Sequence, residues 1–393
     1  MRFHIRHALR IGCVTLLLVL SRCSQACDWD TETLLQERSR FPSVLELIVG
    51  KFPRHSQEYY QWRLEDRLAK LELNRTDDRL LDDVAVSHEK LGRYHEAIAV
   101  AKEQLERNPD RYESLANLGT FLIHSGKLTD GLVFIERAIE VNPEAHFGRE
   151  KYQVILVKYV LSRSTESGLA LPLRGDDGPT WLEFLRKELA EGSEESLTFE
   201  QTKEATNGIL GMMRFSRHDS PVLLEVLGDL QLKLGSNQLA YRAYRSAARN
   251  AKDASAKKRY EEMASQAISW TISSFQATLD NEITEESIAE DFRKELADGD
   301  AWFREVVADE KRWIAAGEAV DVRFNEKYRE SPPTAITTDP KPKQRTRAYS
   351  PGVSSNTFIK SIAVVIALMV GIALILLFIW SRFTFGTNAK NPR

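Results

Sequence analysis

The chain has 393 residues, of which 42% are apolar and 28% are charged, so it can bury a sizeable core and does not have the composition of a disordered protein. Of its 54 basic and 57 acidic residues, 42 and 56 lie between residues 27 and 330, which gives this stretch a net charge of −14. A surface of that sign excludes nucleic acid as the expected ligand.

Residues 1–26 predict a secretory signal peptide. Arg2, Arg6 and Arg10 form a basic start, and residues 11–20 form an apolar stretch that is too short to span a bilayer. Cleavage is expected after Ala26, which leaves Cys27 as the first residue and the only cysteine of the mature chain, with lipidation of this cysteine as an open alternative. A mature chain without an internal disulfide favours a bacterial envelope over an animal cell surface.

Two repeats follow residues 27–77, which are expected to form an N-terminal helical cap. Residues 78–111 and 112–145 align without a gap, so every matched pair of positions has the same offset in sequence. The matched pairs are Gly92 and Gly126, Ala97 and Gly131, and Pro109 and Pro143. Each set provides a glycine for a turn, a small residue for a close helix crossing and a proline that ends the second helix, so each unit is predicted to be a helix-turn-helix.

A third unit is predicted over residues 221–254. It has Gly228, Gly235 and Ala240 at the same internal spacings, but Lys252 stands where the final proline is expected. Between the second and third units, residues 146–220 are either two degenerate repeats or an irregular helical insert, and the sequence leaves both alternatives open.

Residues 255–330 are predicted to continue as C-terminal helices. One of them, over residues 301–316, carries five apolar side chains at helical spacing: Trp302, Phe303, Val306, Trp313 and Ile314. These side chains are expected to cap the helical array, and the alternative is a docking face for a partner or for the membrane surface. The basic, Pro-, Ser- and Thr-rich residues 331–357 predict a flexible stalk.

Residues 358–380 predict a single transmembrane helix. The uncharged run begins at Ser361 and ends at Trp380, an aromatic residue suited to the membrane interface. More Lys and Arg precede this run than follow it, which by itself would place the N-terminal side inside the cell. The signal peptide indicates the opposite orientation and is given precedence, so the N-terminal part is expected outside the cytoplasm and residues 381–393 are expected to form a short cytoplasmic tail.

The repeats resemble those of the tetratricopeptide repeat family, whose characteristic period equals the offset between the two aligned units. The resemblance is carried by Asn117-Leu118-Gly119, by Ser125-Gly126-Lys127-Leu128 and by the run from Ala138 to Pro143 in the second unit, and by Leu91-Gly92-Arg93-Tyr94 in the first. It implies an all-α fold, a right-handed superhelix of helix-turn-helix repeats, to which the C-terminal transmembrane helix is added.

The family resemblance also implies a concave groove, lined by the first helices of successive repeats, that holds a partner peptide or helix. The residues expected to line it are Asp82, Val86, Glu89, Glu113, Asn117, Thr120, His124, Glu225 and Asp229. Asn117 matches the asparagine with which one subtype of the family clamps a C-terminal carboxylate. Asp82 and Val86 depart from that pattern, so anionic tails are expected to be poor ligands. The net charge of −14 and the acidic side chains of Asp82, Glu89 and Glu113 predict a basic or amphipathic protein segment as the ligand, bound with an affinity that falls as salt rises.

Catalytic and metal-binding motifs are incomplete. His88-Glu89 and His95-Glu96 each begin like a zinc-protease motif, but Gly92 and Ala99 stand where the second histidine is required. No enzyme activity and no cofactor are predicted. The expected function is that of a membrane-anchored scaffold that binds other proteins, and the alternative is a receptor or sensor subunit that signals through its transmembrane helix.

Overall fold

The computed structural model describes residues 30–37, 39–143, 148–165, 168–175, 178–190, 196–276 and 284–330, all within the unit Met1–Ile336. Helices dominate these residues, and their bounds are α1 Thr31–Glu37, α2 Val44–Val49, α3 Gln57–Leu71, α4 Asp78–Lys90, α5 Tyr94–Arg107, α6 Tyr112–His124, α7 Leu128–Val141, α8 Arg149–Arg163, α9 Trp181–Leu189, α10 Phe199–Phe215, α11 Pro221–Lys233, α12 Asn237–Asn250, α13 Ala254–Gln276, α14 Glu285–Ala315 and α15 Val320–Phe324. A π-helix, Asn325–Arg329, follows α15. Strands β1 (Ser164–Thr165) and β2 (Gly168–Leu169) pair antiparallel after α8.

Four predicted segments lie outside the described residues: the signal peptide at 1–26, the stalk at 331–357, the transmembrane helix at 358–380 and the tail at 381–393. Within the described ranges, no helix combines the length and the apolar character that crossing a membrane requires.

The prediction of a helical fold built from consecutive helix pairs is confirmed. The pairs α4–α5, α6–α7 and α11–α12 each consist of a helix of 13 residues followed by one of 14. Gly92, Gly126 and Gly235 end the first helix of each pair with φ values of 75°, 88° and 76°, a left-handed conformation that glycine adopts without strain.

The two helices of the second pair cross at glycines. A Cβ atom added to Gly119 would lie 2.6 Å from Ile135 Cδ1, and one added to Gly131 would lie 2.5 Å from Ile123 Cγ1 and 2.7 Å from the Gly119 carbonyl oxygen. The corresponding positions of the third pair are Gly228 and the fully buried Ala240. The backbones of α6 and α7 can therefore approach closely only because both crossing residues lack side chains.

The segment between the second and third pairs is less regular. Helices α8 and α9, of 15 and 9 residues, are separated by the β1–β2 ladder and by a loop that includes residues 170–175. These lengths depart from those of the neighbouring pairs, and α10, of 17 residues, completes the segment.

Helix α2 and the residues that follow it pack against later helices. Leu47, Val49 and Phe52 are buried in the largest apolar cluster, together with side chains of α10 and α11. Helix α14 crosses α2 at Gly299, where an added Cβ atom would lie 2.3 Å from the Val49 carbonyl oxygen. The early part of the chain is thus enclosed by helices that come much later in the sequence.

Helix α3 joins the two ends of the array. Its Tyr59 packs with Val306 and Trp313 of α14 in one apolar cluster and donates a hydrogen bond of 2.7 Å to Asp321 of α15. Arg67 of α3 also pairs with Asp321, at 2.7 Å. Val306 and Trp313 are thus buried against α3, while Trp302, Phe303 and Ile314 are partly buried beside the same cluster.

Candidate protein-interaction site

The predicted groove residues of the first pair are occupied by contacts within the chain. Asp82 is buried on α4, where Arg111 donates to both of its carboxylate oxygens at 2.8 and 2.5 Å and Gln104 donates to one of them at 2.9 Å. Burial raises the pKa of Asp82 to about 7, against the opposing effect of Arg111. This carboxylate fixes the start of α6 against α4 and does not face solvent.

Glu89 and His124 link the first helices of the first two pairs. Their side chains meet at 2.6 Å between Oε1 and Nδ1, and both are buried. The end of α10 covers this point, because Ser216 lies 3.3 Å from His124 Nε2 and Lys90 donates a hydrogen bond of 2.8 Å to the Phe215 carbonyl oxygen.

The remaining predicted residues of the first two pairs are mostly in the core. Val86 packs with Leu118 and Phe121, while Asn117 and Thr120 are fully buried. Glu113 differs from the rest, because its side chain is partly exposed and lies 3.6 Å from Arg111 Nε.

The two predicted residues of the third pair are buried carboxylates that hold a loop. Glu225 accepts hydrogen bonds of 2.8 Å from the backbone N–H groups of Leu173 and Arg174 and one of 2.7 Å from Tyr260. Asp229 accepts a hydrogen bond of 2.5 Å from Tyr244. Burial, reinforced by Asp229, raises the pKa of Glu225 to about 7, and burial also raises the pKa of Asp229.

Eight of the nine predicted groove residues are therefore buried, and Glu113 alone among them offers an accessible side chain. The prediction that the other eight contact a partner does not fit this conformation. The end of α10 lies over Glu89 and His124, and the loop at Leu173 lies over Glu225. Helix α1 contacts α4 at Asp83, next to Asp82, where the Thr31 backbone N–H donates a hydrogen bond of 3.0 Å.

An open cleft lies elsewhere, between α8, α10 and residues 39–41, and its volume is about 760 Å³. We call it the α8–α10 cleft. Its charged and aromatic lining residues are Phe41, Arg149, Lys151, Tyr152, Glu204, Arg214 and Phe215. None of them belongs to the groove predicted from the sequence.

Two arginines and two phenylalanines form one wall of the α8–α10 cleft. Arg149 Cζ lies 4.6 Å from the centre of the Phe215 ring, and Arg214 Cζ lies 5.3 Å from the same ring and 5.0 Å from that of Phe41. Guanidinium groups at such distances are attracted to the negative face of an aromatic ring. Arg214 also donates hydrogen bonds of 2.6 Å to the Gln36 carbonyl oxygen and 2.8 Å to the Ser39 hydroxyl, which fixes residues 36–41 beside α10.

Two glycines of α10 allow the side chains of α8 to pack directly against the α10 backbone. A Cβ atom added to Gly208 would lie 2.7 Å from Tyr152 Cδ2, and one added to Gly211 would lie 2.7 Å from Arg149 Cδ. Tyr152 and Arg149 can therefore lie flat against α10 and line the cleft. The spacing Gly208-x-x-Gly211 was the one local signal for this close crossing.

Comparison with known families identifies one part of the array. Residues 79–111, which include α5 and all but the first residue of α4, match the tetratricopeptide repeat. The chain therefore contains a tetratricopeptide repeat. Helices α6 and α7, which follow directly, repeat the lengths of α4 and α5. No curated protein matches the chain.

Tetratricopeptide repeats are in general modules for protein interaction, and their stacked helices offer extended surfaces to partners. Across the part of the chain that the structure describes, no three His, Cys, Asp or Glu side chains are grouped so as to hold a metal ion.

Proposed function

We propose that this tetratricopeptide-repeat protein is a membrane-anchored scaffold that binds partner proteins outside the cytoplasm. The observation that carries the proposal is the family match over residues 79–111, set in an array of consecutive helix pairs. The finer features belong to the proposal: a right-handed superhelical course of the pairs, export by the signal peptide over residues 1–26, and anchoring by the helix that begins at Ser361 and ends at Trp380.

Because most of the predicted groove residues are buried, we expect partners to contact a different surface. Arg111 and Gln104 enclose Asp82, and the end of α10 lies over Glu89, so a partner would have to displace these groups in order to reach either carboxylate. Accessible surfaces that need no rearrangement are better candidates, and the α8–α10 cleft is one of them. The proposed function is therefore still protein binding, with the α8–α10 cleft in place of the predicted groove as the candidate binding surface.

Chemical crosslinking in native membranes, followed by identification of the proteins that copurify, tests this function. We expect a defined set of copurifying protein partners. Their recovery with the tagged protein should fall when the cells also contain an excess of the same protein without the tag. If the chain is recovered without any protein partner above the level of an unrelated membrane protein, the scaffold assignment is wrong.

A further inference from the structure

We propose that the α8–α10 cleft is a peptide-binding site for partner segments that present a carboxylate beside an apolar side chain. This inference rests on the proposed function, because it names the chemistry of the partner. It reverses the sign of the ligand expected from the sequence, which was a basic or amphipathic segment.

Charge is the first reason for an acidic ligand. Among the described residues that line the cleft, Arg149, Lys151 and Arg214 are cationic and Glu204 is acidic. Arg149 also lies 3.7 Å from Glu150, so part of its charge is offset. In a chain whose residues 27–330 carry a net charge of −14, this cleft is still a local region of the opposite sign.

The geometry of the arginines strengthens this reason. Arg149 and Arg214 are only 4% and 6% exposed, and both are held against the Phe215 ring. Arg214 already donates hydrogen bonds to the Gln36 carbonyl oxygen and the Ser39 hydroxyl, so these two arginines supply fixed positive charge to the wall of the cleft. The exposed Lys151 is the cation at the surface that can reach a ligand carboxylate.

Apolar surface is the second reason, and it favours a peptide over a simple anion. Phe41 is 45% exposed at the rim, and Tyr152 and Phe215 form aromatic walls further in. Exposed aromatic anchors of this kind dominate the energetics of many protein interfaces. A volume of about 760 Å³ lies within the range of ligand-binding clefts and would accept a short stretch of an extended chain.

The direct test is a titration of the full-length protein in detergent with two fluorescein-labelled peptides, followed by anisotropy. One peptide has the sequence Gly-Ser-Asp-Phe-Glu-Leu-Gly, and its charge-reversed counterpart is Gly-Ser-Lys-Phe-Lys-Leu-Gly, both with blocked ends. We expect the acidic peptide to bind at least about tenfold more tightly, with an affinity that falls as salt rises. Equal binding of the two peptides, or no binding of the acidic one, would overturn the proposal.

Two variants at exposed positions locate the binding. Lys151→Glu should weaken the acidic peptide by about threefold to tenfold, because it removes an attraction and adds a repulsion at an exposed site. Phe41→Ala should weaken it at least about fivefold, as expected for an aromatic anchor. The matched control is Lys203→Glu, which makes the same charge change on an exposed face of α10 outside the cleft and should leave binding within about twofold of wild type.

Unchanged binding by Lys151→Glu and Phe41→Ala would place the peptide elsewhere and overturn this assignment. Displacement of the acidic peptide by inorganic phosphate alone would show a simple anion site and would also overturn it. Failure of this inference can be distinguished from failure of the proposed function. If partner proteins still crosslink to both variants, the cleft is not the binding site, but the scaffold function stands. If the peptide binds specifically but no partner is found in native membranes, the cleft assignment stands and the scaffold function is wrong.

Discussion

The close crossing of α6 and α7 makes Gly131→Ala a sharp test of the repeat packing. The added methyl carbon would stand 2.5 Å from Ile123 Cγ1 and 2.7 Å from the Gly119 carbonyl oxygen. Ile123 can move its side chain, but the oxygen belongs to the backbone of the facing helix. The two helices would therefore have to separate before the methyl group fits.

Two opposing effects set the magnitude. Overpacking of a well-packed core costs about 1 to 3 kcal/mol. Replacing glycine by alanine inside a helix returns about 1 kcal/mol through the higher helix propensity of alanine. We expect Gly131→Ala to lower the free energy of unfolding by up to about 2 kcal/mol, whereas an uncrowded helix position would gain about 1 kcal/mol from the same change.

Urea unfolding followed by far-ultraviolet circular dichroism measures this difference. Val133→Ala is the control in the same helix, because Val133 is 54% exposed and its shortening relieves no crossing. The control should be as stable as wild type or slightly more stable. If Gly131→Ala were more stable than wild type by about 1 kcal/mol, as at an uncrowded helix position, the close approach of α6 and α7 at these glycines would be refuted.

Three further outcomes are expected. Ala240→Arg should lower the melting temperature severely, because a guanidinium would be forced into a fully buried helix crossing. An unchanged melting temperature would show that α11 and α12 do not cross closely at this residue and are not a repeat pair. Burial raises the pKa of Glu225 to about 7, so its contribution to stability is complete below its ordinary pKa and is lost as pH rises through about 7. The free energy of unfolding of wild type relative to Glu225→Gln should therefore fall from about pH 5 to about pH 8, and a difference that stays constant or rises over that range would contradict this pKa. Finally, a single cysteine introduced by Ser350→Cys in a Cys27→Ser background should react with a membrane-impermeant thiol reagent while the inner membrane is intact, and reaction only after permeabilisation would invert the proposed orientation.

The sequence predicted the helix ends and the helix crossings of the repeats well, because both depend on the spacing of a few nearby glycines. Gly92, Gly126 and Gly235 stand at fixed positions after helices of one length, and each adopts the left-handed conformation expected of it. The small residues at Gly119 and Gly131 indicated a close crossing, and the structure shows contacts that no larger side chain would allow.

The candidate site depended on contacts that no local pattern encodes. Asp82 and Glu89 lie on a repeat helix, but whether their side chains are open depends on other segments: Arg111 pairs with Asp82, and the end of α10 lies over Glu89. Likewise, Phe41 and Arg214 are far apart in sequence, and their 5.0 Å contact arises only when residues 36–41 pack beside α10. The family resemblance carried no information on which side chains of the repeat helices other segments cover.

Site-specific photocrosslinking in native membranes can show directly whether this protein binds other proteins on the outer side of the membrane. A photoreactive benzoylphenylalanine would replace Phe41 in one strain and Lys203 in a control strain. We expect a protein adduct at position 41 that is weak or absent at position 203. Lys151→Glu should reduce this adduct, and purification of the identified partner should recover the same adduct. No protein adduct at position 41, or an adduct with a protein confined to the cytoplasm, would contradict the proposed function.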